Sequence, residues 1–173
     1  MSWKKYKAAS GYVVYRGVNG KAYTIAGVVQ NPDTTSFVDV TAKNVGVKYT
    51  YKIRTYKTFG DVTYNSAFGG EKTGSYVPAV KLKKFTSASA GTAKVTYNKV
   101  AKATGYQIQY ADNASFKSAK TANVNGGSVT SKTIKRLTKG KRYYVRVRSF
   151  KKIDGKVYYS AWSGKKSVVI KKR

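Results

Sequence analysis

The sequence predicts an all-β chain built as two tandem antiparallel β-sandwiches, and three observations predict it. The first is alternation. In residues 143–150, Tyr143, Val145, Val147 and Ser149 fall on one side of an extended chain, and Tyr144, Arg146, Arg148 and Phe150 fall on the other. A period of two, rich in aromatic and β-branched residues, is the pattern of a strand with one buried face. Residues 49–56 repeat it. The second is an internal repeat, because these two segments lie 94 positions apart. The same shift matches Gly46/Gly140, Tyr49/Tyr143, Arg54/Arg148, Lys57/Lys151, Tyr64/Tyr158, Ser66/Ser160 and Ala67/Ala161, and further upstream Lys5/Lys99, Ala9/Ala103, Gly11/Gly105 and Tyr12/Tyr106. Two separated blocks with one offset mark a tandem duplication of a module of domain size. The third is spacing: about seven short strand patterns in the second copy recur at sandwich intervals, and no segment has the caps and period of a helix.

The first copy, residues 1–77, opens on a short strand expected over 2–6 and led by Trp3, then a polar loop to Gly11. A strand over 12–16 follows, and Asn19-Gly20 between alternating apolar residues signals a two-residue hairpin turn. Strands are expected over 22–29 and, after the breaker Asn31-Pro32-Asp33, over 35–40. The long central strand covers 48–58, Phe59-Gly60-Asp61 turns the chain, and 62–68 returns. Residues 69–77 read as a ragged strand running into a short linker.

The second copy, residues 78–173, opens with a strand over 80–85. A small-residue turn leads to 93–97, and further strands are expected over 106–110, near 120–124 and over 130–137. Asp154-Gly155 turns the central strand back into 156–163, and a last strand lies near 167–171. The first copy has no counterpart to 80–85, so the expectation is a fragment of a longer parent polypeptide.

Composition narrows the function classes. Apolar residues make up 41%, enough for two thin cores, and tyrosine supplies 16 of the 173 residues. No apolar run approaches the length of a membrane span, and the basic, polar start is no secretory signal. There is no cysteine and no histidine, which removes disulfides, thiolate sites, the usual general base and the commonest metal ligand. The six carboxylates (Asp33, Asp39, Asp61, Glu71, Asp112 and Asp154) are scattered, with no pair set up for acid–base work. The chain is read as non-catalytic, with no cofactor and no metal. The net charge of +29 is uneven: residues 1–77 carry 11 Lys+Arg against 4 Asp+Glu, whereas residues 78–173 carry 24 against 2. Two copies of one fold have no need of so different a charge, so the surroundings of the second copy are expected to require it.

At Leu137 the pattern becomes specific. Leu137 precedes Tyr143 by six residues, and Val145 and Val147 follow in alternation. This resembles the fibronectin type III family, with Tyr143 as its corner tyrosine, Trp3 and Tyr97 at its core aromatic position, and Gly11-Tyr12 and Gly105-Tyr106 at the start of its third strand. The resemblance implies an immunoglobulin-like sandwich without an inter-sheet disulfide. It covers the whole second copy, and the first copy from its second strand onward. The first copy departs in having Lys43 six before Tyr49. The lysine- and tyrosine-rich character, with the hairpin ending Tyr158-Tyr159-Ser160-Ala161-Trp162-Ser163, is similar to repeats of large secreted and cell-surface proteins of bacteria. That setting implies an extracellular location and a role as adhesive unit, spacer or enzyme appendage.

Two site readings follow. Tyr144, Arg146, Arg148 and Phe150 on the outward face of the central strand, with Tyr159 and Trp162 nearby and Lys141 and Arg142 at the strand's entry, offer stacking and charge for a polyanion or glycan. The bland alternative is favoured: 159–163 resembles the Trp-Ser-x-Trp-Ser element of receptor modules, where arginines and hairpin aromatics staple the outer face. The second reading concerns the lysine excess, which exceeds the roughly 2–8 net charges that solubility needs and fits an anionic cell-wall polymer or polysaccharide. Nucleic acid is disfavoured, because no helix is available for base readout. Asn113-Ala-Ser115 fits a glycosylation acceptor, a match common by chance.

Overall fold

The computed structural model describes Met1–Arg173, and the chain divides into two compact units, Met1–Tyr76 and Val77–Arg173. All regular elements are strands, and no helix is long and apolar enough to cross a membrane.

Unit 2 is a two-layer sandwich. β6 (Leu82–Thr86), β7 (Ala93–Tyr97) and β10 (Ser131–Ile134) form a three-stranded sheet in the order β10-β7-β6. β8 (Gly105–Ala111), β9 (Lys120–Asn125), β11 (Arg142–Ile153) and β12 (Lys156–Tyr159) form the second sheet in the order β12-β11-β8-β9, with β13 (Lys166–Val169) also on β11. All pairs are antiparallel, and the arrangement is fibronectin type III-like. The inward residues meet between the layers. Val95, Ile108, Val145 and Val147 are completely inaccessible, and Phe85, Tyr97, Tyr106, Ile134, Leu137 and Ile170 close around them. The expected opening strand lies here as β6. Ahead of it, Val80 is buried, and Ser149 Oγ donates to Pro78 O at 2.6 Å.

One correction concerns the strand after the Asp154-Gly155 turn. It leaves the sheet at Tyr159, earlier than the alternation through 163 predicts, and the last strand starts at Lys166. Serine side chains take over in between. Ser160 Oγ accepts from Ser149 N at 3.1 Å and Ser163 Oγ accepts from Val147 N at 3.0 Å, while their own N–H groups donate to Ser149 O and Val147 O. A hydroxyl thus replaces a strand carbonyl twice, and the backbone between is released from the ladder.

Unit 1 keeps the larger sheet. β1 (Gly11–Val18), β2 (Thr24–Val29), β3 (Tyr49–Phe59), β4 (Val62–Asn65) and β5 (Lys72–Gly74) assemble in the order β2-β1-β3-β4, with β5 also on β3. Asn19 and Gly20 take φ of 50° and 79°, the left-handed pair that a two-residue hairpin turn demands. The repeated glycines Gly11 and Gly105 share one cause. A Cβ there would strike the backbone oxygen of Val29 or Val124 and the ring of Tyr56 or Phe150. The inner face of the sheet carries Tyr12, Val14 and Arg16 opposite Thr55, Ile53 and Tyr51.

The second layer of unit 1 is where expectation and structure part. The strands read over 2–6 and 35–40 are not formed; one antiparallel bridge, Ser2 to Ser36, marks their place. Alternation makes a segment able to enter a sheet, but a strand also needs a neighbour on its open side, and no segment of unit 1 takes the place β6 takes beside β7. The inner face is consequently left partly open, as a cleft of about 350 Å³ lined by Trp3, Tyr12, Ile53, Thr55 and Phe68.

Candidate polyanion-binding face of the second unit

The central strand β11 sets the site. Because successive side chains alternate, burial of Val145, Val147 and Ser149 forces Tyr144, Arg146, Arg148 and Phe150 onto the outer face. Facing them across the ladder, β8 brings Gln109 opposite Arg146 and Gln107 opposite Arg148. Arg146 Nε donates to Gln109 Oε1 at 2.7 Å, and Arg148 donates to Gln107 Oε1 from Nε at 2.9 Å and from Nη2 at 2.6 Å. With their edges held, the guanidinium planes stack on rings. Arg148 lies 3.8 Å from the Tyr159 centroid and 4.3 Å from that of Trp162, and Arg146 lies 4.8 Å from Trp162 and 4.4 Å from Phe116. Phe150 meets Tyr159 at 6.1 Å between centroids.

The result is a ladder in the order Tyr159, Arg148, Trp162, Arg146, Phe116. Release of 160–163 from the sheet is what allows Trp162 to lie between both arginines. Burial lowers the Arg148 pKa from its ordinary value, with Arg146 adding to the effect and Tyr159 opposing it. A cation that is desolvated, hydrogen-bonded and stacked is already engaged; each such contact contributes about 0.5–2 kcal/mol to the face it covers. Arg146 and Arg148 therefore staple the sheet more than they present charge.

The remaining expected site residues lie around this ladder. Tyr144 is half-buried on β11, next to Ala111 of β8 and Ser167 of β13. Lys141 and Arg142 are exposed at the strand's entry, Lys141 Nζ 3.7 Å from Asp112 Oδ2 and Arg142 Nη1 donating to Ser167 Oγ at 3.3 Å. Tyr144, Lys141 and Arg142 are not in the stack. Sequence reasoning missed Gln107, Gln109 and Phe116. The glutamines were legible, since both fall on the outward side of β8; Phe116 sits in a loop with φ of 58° and had no pattern to mark it.

Unit 1 carries a reduced version of the same face. Arg54 lies 5.1 Å from the Tyr15 ring and 5.4 Å from Phe68, and Lys52 lies 4.4 Å from Tyr23 and 3.1 Å from Glu71. Val13 stands where unit 2 has Gln107, and Arg54 Nε is buried without a hydrogen-bond partner.

Tyr143, the expected corner tyrosine, and its repeat counterpart Tyr49 each accept from a backbone N–H five residues upstream, Tyr143 from Thr138 at 3.4 Å and Tyr49 from Asn44 at 3.2 Å. A stronger pair lies deeper. Tyr106 Oη accepts from Val100 N and donates to Gly127 O, both at 2.9 Å, and Tyr12 repeats this with Tyr6 N and Pro32 O at 3.1 and 3.2 Å. Nowhere are three or more carboxylates gathered as a metal ion would require.

Comparison with known proteins adds no family. No family model matches the chain, and no curated protein matches it in sequence. Among solved structures, it is similar to the chicken CNTN1 FN1–FN3 domains at 18% identity and a TM-score of 0.49, over 94% of this chain and 56% of that one. It is similar to a two-domain fibronectin type III segment of chicken tenascin at 19% identity and a TM-score of 0.49, over 96% of this chain and 89% of that one. A fibronectin type III domain of human contactin 1 is similar at 18% identity and a TM-score of 0.48, over 57% of this chain and 81% of that one. The chain thus spans 56% of the CNTN1 structure. The fold is fibronectin type III-like, as the strand order of unit 2 already states.

Proposed function

We propose that the chain is a non-catalytic structural and adhesive pair from a secreted or cell-surface bacterial protein, in which unit 2 holds an anionic cell-wall polymer or polysaccharide. The observation that carries this reading is the exposure of the charge. Of the 24 cations in unit 2, all but Arg146, Arg148 and Lys151 are exposed, and the unit has two carboxylates to answer them. Lysines with so few internal partners raise the local concentration of any polyanion and bind it in a salt-dependent way. Spacing an extracellular enzyme remains the second reading, favoured by the repeat; a nucleic-acid role has no base-reading element to support it.

The test is retention of the full chain on acidic polysaccharide and wall polymer across a salt series. Retention should fall steeply with salt, and replacing six exposed lysines of unit 2 by glutamine should abolish it, whereas Lys4, Lys5 and Lys7 of unit 1 should contribute little. Absence of retention at low salt would leave only the spacer reading, and preference for DNA would reverse the choice of polymer.

A further inference from the structure

Each unit has a cleft beside the first tyrosine of its corresponding central-strand segment, Tyr49 or Tyr143, and the two differ in charge. In unit 1 a cleft of about 260 Å³ is walled by Asp39, Tyr49 and Tyr51. The Asp39 carboxylate is 6% exposed and fully answered: Arg16 Nη1 donates at 2.8 Å, Tyr51 Oη at 2.9 Å, Thr41 Oγ1 at 2.7 Å and Thr41 N at 2.9 Å. This cleft is neutralised from within.

In unit 2 a cleft of about 440 Å³ is lined by Tyr110, Lys117, Lys120, Lys135, Arg136 and Tyr143. The 94-residue shift carries Arg16 and Tyr49 onto Tyr110 and Tyr143. The bridge Ser2–Ser36 answers the pair Thr96–Ser131 of β7 and β10, one residue off that shift, and so makes Thr41 the counterpart of Arg136 and Asp39 that of Ile134. Ile134 is buried in the core. The carboxylate that serves unit 1 has no equivalent, while cations stand along the wall. The one carboxylate at the cleft, Asp112, lies 3.7 Å from Lys141 outside it.

The wall is also held in shape. Ser118 and Arg136 take φ of 52° and 59°, a left-handed conformation that costs free energy for residues other than glycine. Asn113 braces the loop beside them, accepting from Lys117 N at 2.9 Å and donating to Lys117 O at 2.9 Å. A concave site lined by four cations and two half-buried tyrosines, in the size range of small-ligand pockets, suits a ring bearing one anionic group.

We propose that this cleft is a binding site for the carboxylate of an acidic saccharide, a hexuronate unit, whose charge answers the four cations of its wall. The proposal rests on the polyanion reading of unit 2 and adds to it a place and a ligand class. Lys135, Arg136, Lys117 and Lys120 would take the carboxylate, and Tyr110 and Tyr143 would wall the sugar ring.

Titration calorimetry of the full chain with a galacturonate trimer tests it. Binding is expected, and the neutral galactose trimer should give none. Lys135→Gln with Arg136→Gln should weaken binding at least tenfold, while Lys83→Gln with Lys84→Gln on β6, which removes the same charge, should change it less than twofold. Ser118→Asp, which puts a carboxylate on the cleft wall at a backbone conformation aspartate tolerates, should abolish binding with an unchanged melting temperature. Equal losses from both double substitutions would overturn the site and leave charge-driven retention standing. No binding of trimer or polymer would overturn both. Stronger cleft-dependent binding of a glycerol phosphate oligomer would overturn the ligand class.

Discussion

Units 1 and 2 share a repeat and a large sheet, yet their interiors are built on different chemistry. Unit 2 seals fifteen buried residues between two layers. In unit 1 the buried apolar residues are Ala9, Tyr12, Val13, Val14 and Tyr49, and the inner face continues into the Arg16–Asp39–Tyr51 cluster. Large apolar side chains such as Ile25, Val38, Val40, Phe59 and Phe68 are exposed in unit 1, against Val129, Val157, Tyr159 and Val169 in unit 2. Removing one layer of a sandwich takes away the surface against which the other is dry. The difference teaches that a satisfied ion-pair network occupies the open inner face of unit 1 where unit 2 closes hydrophobically, and that removing one of its partners would leave a buried charge uncompensated.

The largest effect should come from the sealed core. Ile108→Ala on β8 removes a completely buried side chain and is expected to cost about 2–5 kcal/mol. Calorimetry should show the transition of unit 2 falling while that of unit 1 holds; a common shift of all melting would break the comparison by showing one cooperative unit.

Acid should reverse the roles. Burial would raise the Asp39 pKa, but hydrogen bonds from Thr41, Arg16 and Tyr51 prevail and hold it at about 2, below its ordinary 3.8. Because the unfolded chain takes up this proton first, the stabilisation is complete above about pH 4 and is lost as pH falls toward 2, a contribution of about 2 kcal/mol. Melting followed from pH 5 to 2 should show unit 1 weakening over that window. Asp39→Asn should flatten the dependence, and an unaltered profile in that variant would remove the network from the account.

The smallest effect distinguishes two tyrosines of unit 2. Tyr143→Phe removes exposed hydrogen bonds of 3.4 Å to Thr138 and should cost under about 1 kcal/mol. Tyr106→Phe leaves Val100 N buried without its acceptor and should cost about 1–3 kcal/mol. Chemical denaturation of both variants would rank them, and the reverse order would restore Tyr143 as the principal corner tyrosine.

What could be read in advance follows from what alternation encodes. It located β1, β3, β8 and β11 because each is a central strand whose two faces meet different surroundings, and the pairs Asn19-Gly20 and Asp154-Gly155 located turns because they take positive φ at both positions. It overstated 35–40, where Phe37, Asp39 and the exposed Val38 and Val40 alternate with no neighbouring strand to receive them. At the site, the outward set Arg146, Arg148, Tyr159 and Trp162 was legible from strand parity. The cleft was not, because its cations come from three loops and strand ends whose meeting depends on tertiary structure.

The serine splice between β12 and β13 has a consequence for how the two copies diverged. Each join has a backbone half, in which residue 160 or 163 donates to β11, and a side-chain half made by a hydroxyl. In unit 1, Ser66 keeps both halves with Thr55, but Gly69 stands in place of Ser163 and keeps only the backbone bond, to Ile53 O at 2.8 Å. The backbone half survives any replacement except proline, so mutation can erase the hydroxyl without unravelling the edge, and Phe68 still lies against Arg54 and Tyr15. A duplicated module of this kind is free to lose its ornament in one copy while inheriting its outline in both.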